Sequence, residues 1–280
     1  VDGVRYSESW GDSSHQYIPC FSNEIADFGV VNTEFYNNGV TRTTPGYMAI
    51  TTGLYQEINN SGKALSEYPS IFQYLIKKES VFKENAWIIT SKDKLAVLGN
   101  CKDINWKDKY LPSLDCGMAG VSSTTIPYVF GMARINSGSI IRHDRLTLTR
   151  FFNVMSEHRP KFTLLGFVEP DVSGHRGSWE DYLAGIKNTD EYIYEIWRYI
   201  NNDPYYSGTT TLFITTDHGR HLDSDGGFHH HGCGCDGCRH LIFFAYGPDF
   251  KQGVINVKRE LIDIPATIAE ISKSKIAKYL

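Results

Sequence analysis

KFTLLGFVEPDVSGHRG, residues 161–177, decides the fold. Phe162–Val168 is a continuous apolar run of strand length, the pattern of a strand buried on both faces. A polar cluster, EPDVSGH, follows directly at what would be its carboxyl end. The arrangement recurs: Thr211–Thr215 (TLFIT) runs on into DHGRH, and Leu241–Tyr246 (LIFFAY) is a third buried-type run. Phe28–Thr33 and Ala86–Thr90 (AWIIT) read as further strands. Between them lie helical patterns: Pro45 to Thr52, Pro69–Lys78, Asp144–His158, Ser178–Ile200 and Leu261–Ser272. In Ser178–Ile200, Tyr182, Leu183, Ile186, Ile193, Ile196, Trp197 and Ile200 fall mostly on one stripe.

Strands alternating with helices predict an α/β fold, a mostly parallel central sheet sandwiched by helices. In such sheets ligands bind beyond the carboxyl ends of the strands, where the polar clusters of this chain sit. Residues 92–143 are weakly periodic and are expected to form a small irregular excursion over the active-site face. Residues 1–280 are otherwise read as one catalytic domain.

Composition narrows the function. The 280 residues are 41% hydrophobic and 21% charged, values of an ordinary globular chain. The net charge of −4 offers no basic excess for a phosphate backbone, so no nucleic-acid polymer is expected as a partner. The apolar runs are far too short to span a membrane. The chain opens at Val1-Asp2-Gly3 without Met or signal peptide. With Asp2 at a strand end, most of that strand would be missing, so residues upstream are expected to have been removed or not observed.

Histidine is unevenly spread, with seven of the ten between His175 and His240. Asp171 and His175 are four apart across a Gly174 loop, Asp217 and His218 are adjacent at a strand end, and His229, His230 and His231 follow. Carboxylate plus imidazole suits Zn, Mn or Fe(II) better than Ca or Mg. Each piece has a plainer reading: a lone D-x-x-x-H is most often a solvated pair or a cap, and DHG often closes a strand as a turn. Their joint occurrence at strand ends is what points to a two-metal site, able to clamp both oxygens of an in-line displacement at phosphorus. Pro45 as the first helical residue would make Thr44 the N-cap, and a helix N-terminus favours an anion. Spacing alone leaves Thr41, Thr43 and Thr44 open as a nucleophile, against simple capping.

The segments VDGVR, TRTTPGYMAITTGLY, EPDVSGHRG, TTDHGRH and FHHHG, in this order, resemble the alkaline phosphatase superfamily, closest to its nucleotide pyrophosphatase/phosphodiesterase-like branch. The resemblance implies two divalent metal ions, zinc the expected pair, and a small-molecule phosphate ester as substrate. It implies an exported, periplasmic or extracellular enzyme. By its pattern Thr43, two before Pro45 and ten before Gly53, is the nucleophile. Asp171 and His175 would bind one metal with His231, which Gly232 follows. Asp217 and His218 would bind the other, shared with Asp2 and Thr43. Thr43 would attack phosphorus and form a covalent phospho-threonine, which is then hydrolysed. Asn59 or Asn60 would help bind the phosphoryl oxygens. Arg220 and His221 could reach the substrate, although a solvated loop is slightly preferred.

The chain departs from the pattern at Tyr47, where the family often has His, and at Asn59-Asn60-Ser61-Gly62, where the branch has His-Gly. Sulfatases place Cys or Ser in a C/S-x-P-x-R context; Thr43 stands here, and Tyr47 replaces that Arg. A phosphomutase, a phosphonate hydrolase, a phosphoethanolamine transferase and a non-catalytic metal-stabilised binding protein complete the alternatives. Cys233, Cys235 and Cys238 with His240 form C-x-C-x2-C-x-H, open to an extra metal, a local disulfide or plain thiols. Cys101 and Cys116 would pair in an oxidising compartment.

Overall fold

In the computed structural model, which describes residues 1–79, 82–117, 133–136 and 139–272, the apolar runs become strands. Along the chain the elements are β1 (Val30–Tyr36), α1 (Thr43–Thr52), α2 (Ile71–Glu79), β2 (Ala86–Thr90), β3 (Ser113–Cys116), β4 (Ala133–Asn136), β5 (Ser139–Arg142), α3 (Asp144–His158), β6 (Phe162–Gly166), α4 (Asp171–Arg176), α5 (Trp179–Asn202), β7 (Leu212–Thr215), α6 (Asp236–Arg239), β8 (His240–Tyr246), β9 (Gly253–Ile255), β10 (Arg259–Glu260) and α7 (Asp263–Ile271). The architecture is α/β, and the chain divides into two compact units.

The first unit, residues 1–46 and 169–263, is built on a mixed five-stranded sheet, β10-β1-β8-β7 with β9 also on β1. β8 runs antiparallel to both β1 and β7, while β9 and β10 run parallel to β1. Its core packs Ile18, Phe21, Ile25, Val31 and Phe244 against Tyr182 and Ile186 of α5. Tyr182 and Ile186 lie on the stripe expected of that helix, each such burial contributing about 1.5–3 kcal/mol. Ser178 caps α5, its Oγ accepting from Asp181 N at 3.1 Å.

The second unit, residues 47–168 and 264–280, holds the parallel sheet β3-β2-β6, with Trp87 opposite Thr163 and Ser113. Ile88 and Cys116 from this sheet pack with Tyr47, Met48, Ile71, Phe72, Leu95 and Leu98. Part of the segment 92–143 is therefore built into the unit: it contributes β3, the β4–β5 hairpin and the core residues Leu95 and Leu98. Residues 118–132, 137 and 138 of that segment lie outside the described residues. Cys101 and Cys116 are buried free thiols, not a disulfide. No helix among the described residues is long and apolar enough to cross a membrane.

Two helix ends differ from the sequence reading. α1 begins at Thr43, so Pro45 is its third residue and Thr44 is inside the helix, not its N-cap. Proline fits there because first-turn N–H groups have no intrahelical acceptor to lose. Asp171–Arg176 is a short helix rather than a loop, closed by Gly177 at φ +80°.

Candidate functional site

The first unit brings Asp2, Asp171, His175, Asp217, His218 and His231 together. Asp217 and His218 leave the end of β7 in a turn fixed by Thr216, whose Oγ1 donates to His218 O at 2.9 Å. Asn37 Nδ2 donates to Asp217 O at 2.8 Å. Asp171 and His175 stand four apart on α4, hence on one face. Asp2 reaches them through a β-bridge to Pro170. Gly3 then has φ +74°, and a Cβ there would lie 3.1 Å from Asp171 Cβ and from Arg220 Nη1. A side chain at this position would meet both the backbone penalty and this crowding.

The donor atoms form two adjoining sets. Asp171 Oδ1 is 3.3 Å from His175 Nε2 and 3.5 Å from His231 Nε2, and the two imidazole nitrogens are 3.0 Å apart. His218 Nε2 is 3.4 Å from Asp2 Oδ1 and 3.5 Å from Asp217 Oδ2. Donors around a tetrahedral zinc at about 2.0–2.1 Å stand roughly 3.3 Å apart, so both sets have the spacing of a coordination sphere. The rings of His218 and His231 stack at 4.0 Å and join the sets.

The hydrogen bonds fix which nitrogen offers its lone pair. His231 Nδ1 donates to Thr41 O at 2.9 Å and His218 Nδ1 to Gly219 O at 2.8 Å, leaving each Nε2 as the free ligand atom. Burial and the neighbouring His218 push the His231 pKa down to about 2, so this ring is neutral. At His218 burial acts in the same direction, but the carboxylates of Asp217, Asp2 and Asp171 outweigh it and raise the pKa. A field that favours a proton on His218 also favours a cation beside it. These two imidazoles with three carboxylates fit divalent ions on donor chemistry as well as on spacing.

Among the three consecutive histidines, His231 is the one whose Nε2 faces Asp171; the His229 ring lies 4.2 Å from that of Phe228. Thr43 is the buried first residue of α1. Its neighbours bind the cluster: Thr41 O holds His231, and a Cβ on Gly46 would lie 2.6 Å from Asp217 O. Asn60 belongs to the second unit, where its backbone and side-chain oxygens accept from Lys94 Nζ at 3.4 and 3.1 Å.

Two residues depart from the preferred reading of a solvated loop. Arg220 is fully buried, paired through Nη1 with Asp171 Oδ1, and its other nitrogens donate to Phe228 O and, at 2.9 Å, His229 O. His221 turns toward Cys233 and Cys238 instead of the carboxylates. Thr41 was singled out only as a possible nucleophile, and its part as the anchor of His231 has no local sequence signal. The arginine directly after DHG was a visible signal, but its burial depends on the distant Asp171.

The comparisons bear on the fold and the family. The chain is 25% identical over 261 residues, 91% of its length, to human GPI ethanolamine phosphate transferase 1, and spans 26% of that relative's length. The phosphonate monoester hydrolase of Silicibacter pomeroyi superposes with a TM-score of 0.66 at 14% identity, over 98% of this chain and 72% of that one. A protein in the alkaline phosphatase superfamily from Vibrio parahaemolyticus superposes with a TM-score of 0.57 at 14% identity, over 98% and 68%. The fold is thus alkaline phosphatase-like, as the motif order implied. A model of the metalloenzyme superfamily matches residues 135–275, a stretch that contains Asp171, His175, Asp217, His218 and His231. With just over half of its 280 residues matched, the chain belongs to the metalloenzyme superfamily.

Proposed function

We propose that this chain is a two-metal enzyme of phosphoric ester chemistry that works through a covalent phospho-threonine at Thr43. The observation that carries the reading is the spacing of the donors: Asp171, His175 and His231 stand 3.0–3.5 Å from one another, and His218 stands 3.4 Å from Asp2 and 3.5 Å from Asp217. Asp171, His175 and His231 would hold one ion, and Asp2, Asp217 and His218 the other, zinc in both cases. When bound, such ions neutralise phosphoryl oxygens and lower the proton affinity of a nearby hydroxyl.

The chain's own residues account for the rest. Thr41, whose carbonyl accepts from His231, and Gly46, which passes close to Asp217 O, would position the first turn of α1 and with it Thr43. A helix N-terminus favours phosphoryl oxygens. The Thr43 Oγ–P bond would form as the bond from phosphorus to the leaving oxygen breaks, the hydroxyl proton of Thr43 passing to solvent and the leaving oxygen taking one from it. A water would then attack phosphorus from the side opposite Thr43, losing a proton to solvent as the Oγ–P bond breaks and Oγ regains one, which restores the hydroxyl.

A second reading keeps the first half and replaces water with an acceptor alcohol. It is favoured by the likeness to an ethanolamine phosphate transferase. Sulfate esters fit less well, because Thr43 cannot become the formylglycine that the sulfatase resemblance would require.

Thr43→Ala tests the reading. Metal content should stay unchanged while turnover of nitrophenyl phosphate mono- and diesters collapses. A phosphate adduct at Thr43 should appear by mass spectrometry after acid quench of the unaltered enzyme. Undiminished turnover by Thr43→Ala would reject Thr43 as the nucleophile. Release of nitrophenol stimulated by added alcohol would select transfer over hydrolysis.

A further inference from the structure

A second cluster of ligating side chains lies in the first unit, apart from the carboxylates. The ligand atoms of His221, Cys233 and Cys238 all lie within 4.8 Å of one another. Cys233 Sγ and Cys238 Sγ are 3.6 Å apart. That is far beyond a disulfide bond of about 2.05 Å. It matches the edge of a tetrahedral zinc thiolate, roughly 3.8 Å for Zn–S bonds near 2.3 Å.

Cys233 Sγ accepts from Cys235 N at 3.3 Å. His221 supplies the third side. Its ring hydrogen-bonds the Asp225 backbone, and its buried Nε2 has no hydrogen-bond partner among the described residues. An imidazole held by one nitrogen with the other buried and unused is the arrangement of a metal ligand. His240, the fourth ligand that the C-x-C-x2-C-x-H spacing offered, is excluded. Its ring stacks on Tyr6 at 3.9 Å and Tyr36 at 4.9 Å, and its Nε2 is 2.7 Å from Thr33 O.

We propose that His221, Cys233 and Cys238 hold a structural zinc ion, additional to the paired centre. The ion would close the loop between residues 221 and 233, which carries His229, His230 and His231. Cys233 O also accepts from Thr41 Oγ1 at 2.8 Å, while Thr41 O holds His231, so the clip braces a ligand of the paired centre.

Thiol titration of the zinc-loaded, full-length protein tests this directly. A mercurial should release one equivalent of zinc to a metallochromic dye as the Cys233 and Cys238 thiols react. With cobalt in place of zinc, sulfur-to-cobalt charge-transfer absorption should appear in the near ultraviolet. The paired centre contains no thiol and cannot produce that band. Cys238→Ser should abolish the band and remove one metal equivalent, and His218→Ala should leave the band in place. Absence of both the band and thiol-linked zinc release in the unaltered protein overturns the proposal, as does a Cys233–Cys238 disulfide found by mass spectrometry. The unaltered protein decides the matter even where Cys238→Ser does not fold. Loss of turnover in Thr43→Ala bears on the paired centre alone.

Discussion

Replacing Arg220 by methionine should destabilise the metal-free protein strongly and the metal-loaded protein less. The guanidinium is fully buried, and the Asp171 side chain it pairs with is 4% exposed. Removing one partner of a buried ion pair leaves the other charge without compensation, at a cost of about 3–5 kcal/mol. Two backbone carbonyls, those of Phe228 and His229, lose their donor in the same step. For a chain of this length each kcal/mol lowers Tm by about 2 °C, so the metal-free variant should melt roughly 6–10 °C below the parent. A divalent ion on Asp171 restores a positive counter-charge. The gain in Tm on adding zinc should therefore be larger in Arg220→Met than in the parent. Arg220→Lys should fall between them, since an ammonium keeps the charge but cannot serve a carboxylate and two carbonyls at once. Scanning calorimetry with and without zinc measures all of this. Metal-free melting within about 2 °C of the parent, or a deficit that zinc does not narrow, would refute the reasoning.

Three further perturbations probe different parts of the molecule. Gly3→Ala should cost about 1–2 kcal/mol and weaken zinc binding, whereas Gly208→Ala, at a similar φ of +70° with nothing within 4 Å of its Cβ, should cost only the backbone part; denaturant melts and zinc titration compare the two. Burial alone would raise the Asp115 carboxyl, but hydrogen bonds from Arg142 and Arg150 hold it below the usual range. Its stabilisation is thus complete above the unfolded value near 3.8 and lost as pH falls through the lower folded value, so Asp115→Asn should cost about 3 kcal/mol at pH 7 and progressively less as pH falls through that folded value, read from urea melts. Chelation should lower Tm and abolish ester turnover together, since an ion at about 100 times its Kd adds roughly 2.7 kcal/mol to the folded state; turnover that survives with no metal bound would argue against the paired centre.

What the sequence made legible followed the range of each signal. Ala86–Thr90 and Asp144–His158 form an element with those bounds because strong apolar periodicity is local and continuous. The six-residue α4 escaped notice because it is too short to show a 3.6-residue period, and Gly174 within it reads as a loop. The antiparallel placement of β8 between β1 and β7 is a long-range pairing, Val30 with Ala245 and Leu212 with Tyr246, which no local pattern encodes. The same limit shaped the sites. Cys233, Cys235 and Cys238 were visible as a ligand run, but spacing could nominate only the nearby His240. His221 reaches them through a backbone pairing, His221 N to His230 O at 2.9 Å, that folds its loop back. Arg220 looked solvated because charged side chains are exposed by default. Its burial follows from Asp171, which stands 49 residues away in sequence and provides the compensating charge.

Charge arithmetic connects the proposed centre with its proposed substrate. Asp2, Asp171 and Asp217 contribute three negative charges, Arg220 one positive charge, and the imidazole of His231 none at neutral pH. Two divalent ions would bring the sum to +2 when His175 and His218 bind as neutral ligands. A phosphate monoester carrying two negative charges would cancel that sum, whereas a phosphate diester or a sulfate ester carries one and would leave the centre at +1. In a buried site uncancelled charge is costly, because desolvation penalises it with little screening. Under the proposed reading Arg220 would thus do more than hold Asp171: without its charge the loaded centre would sum to +1, so Arg220→Met should shift relative turnover from monoesters toward diesters, and an unchanged ratio would argue against this charge balance.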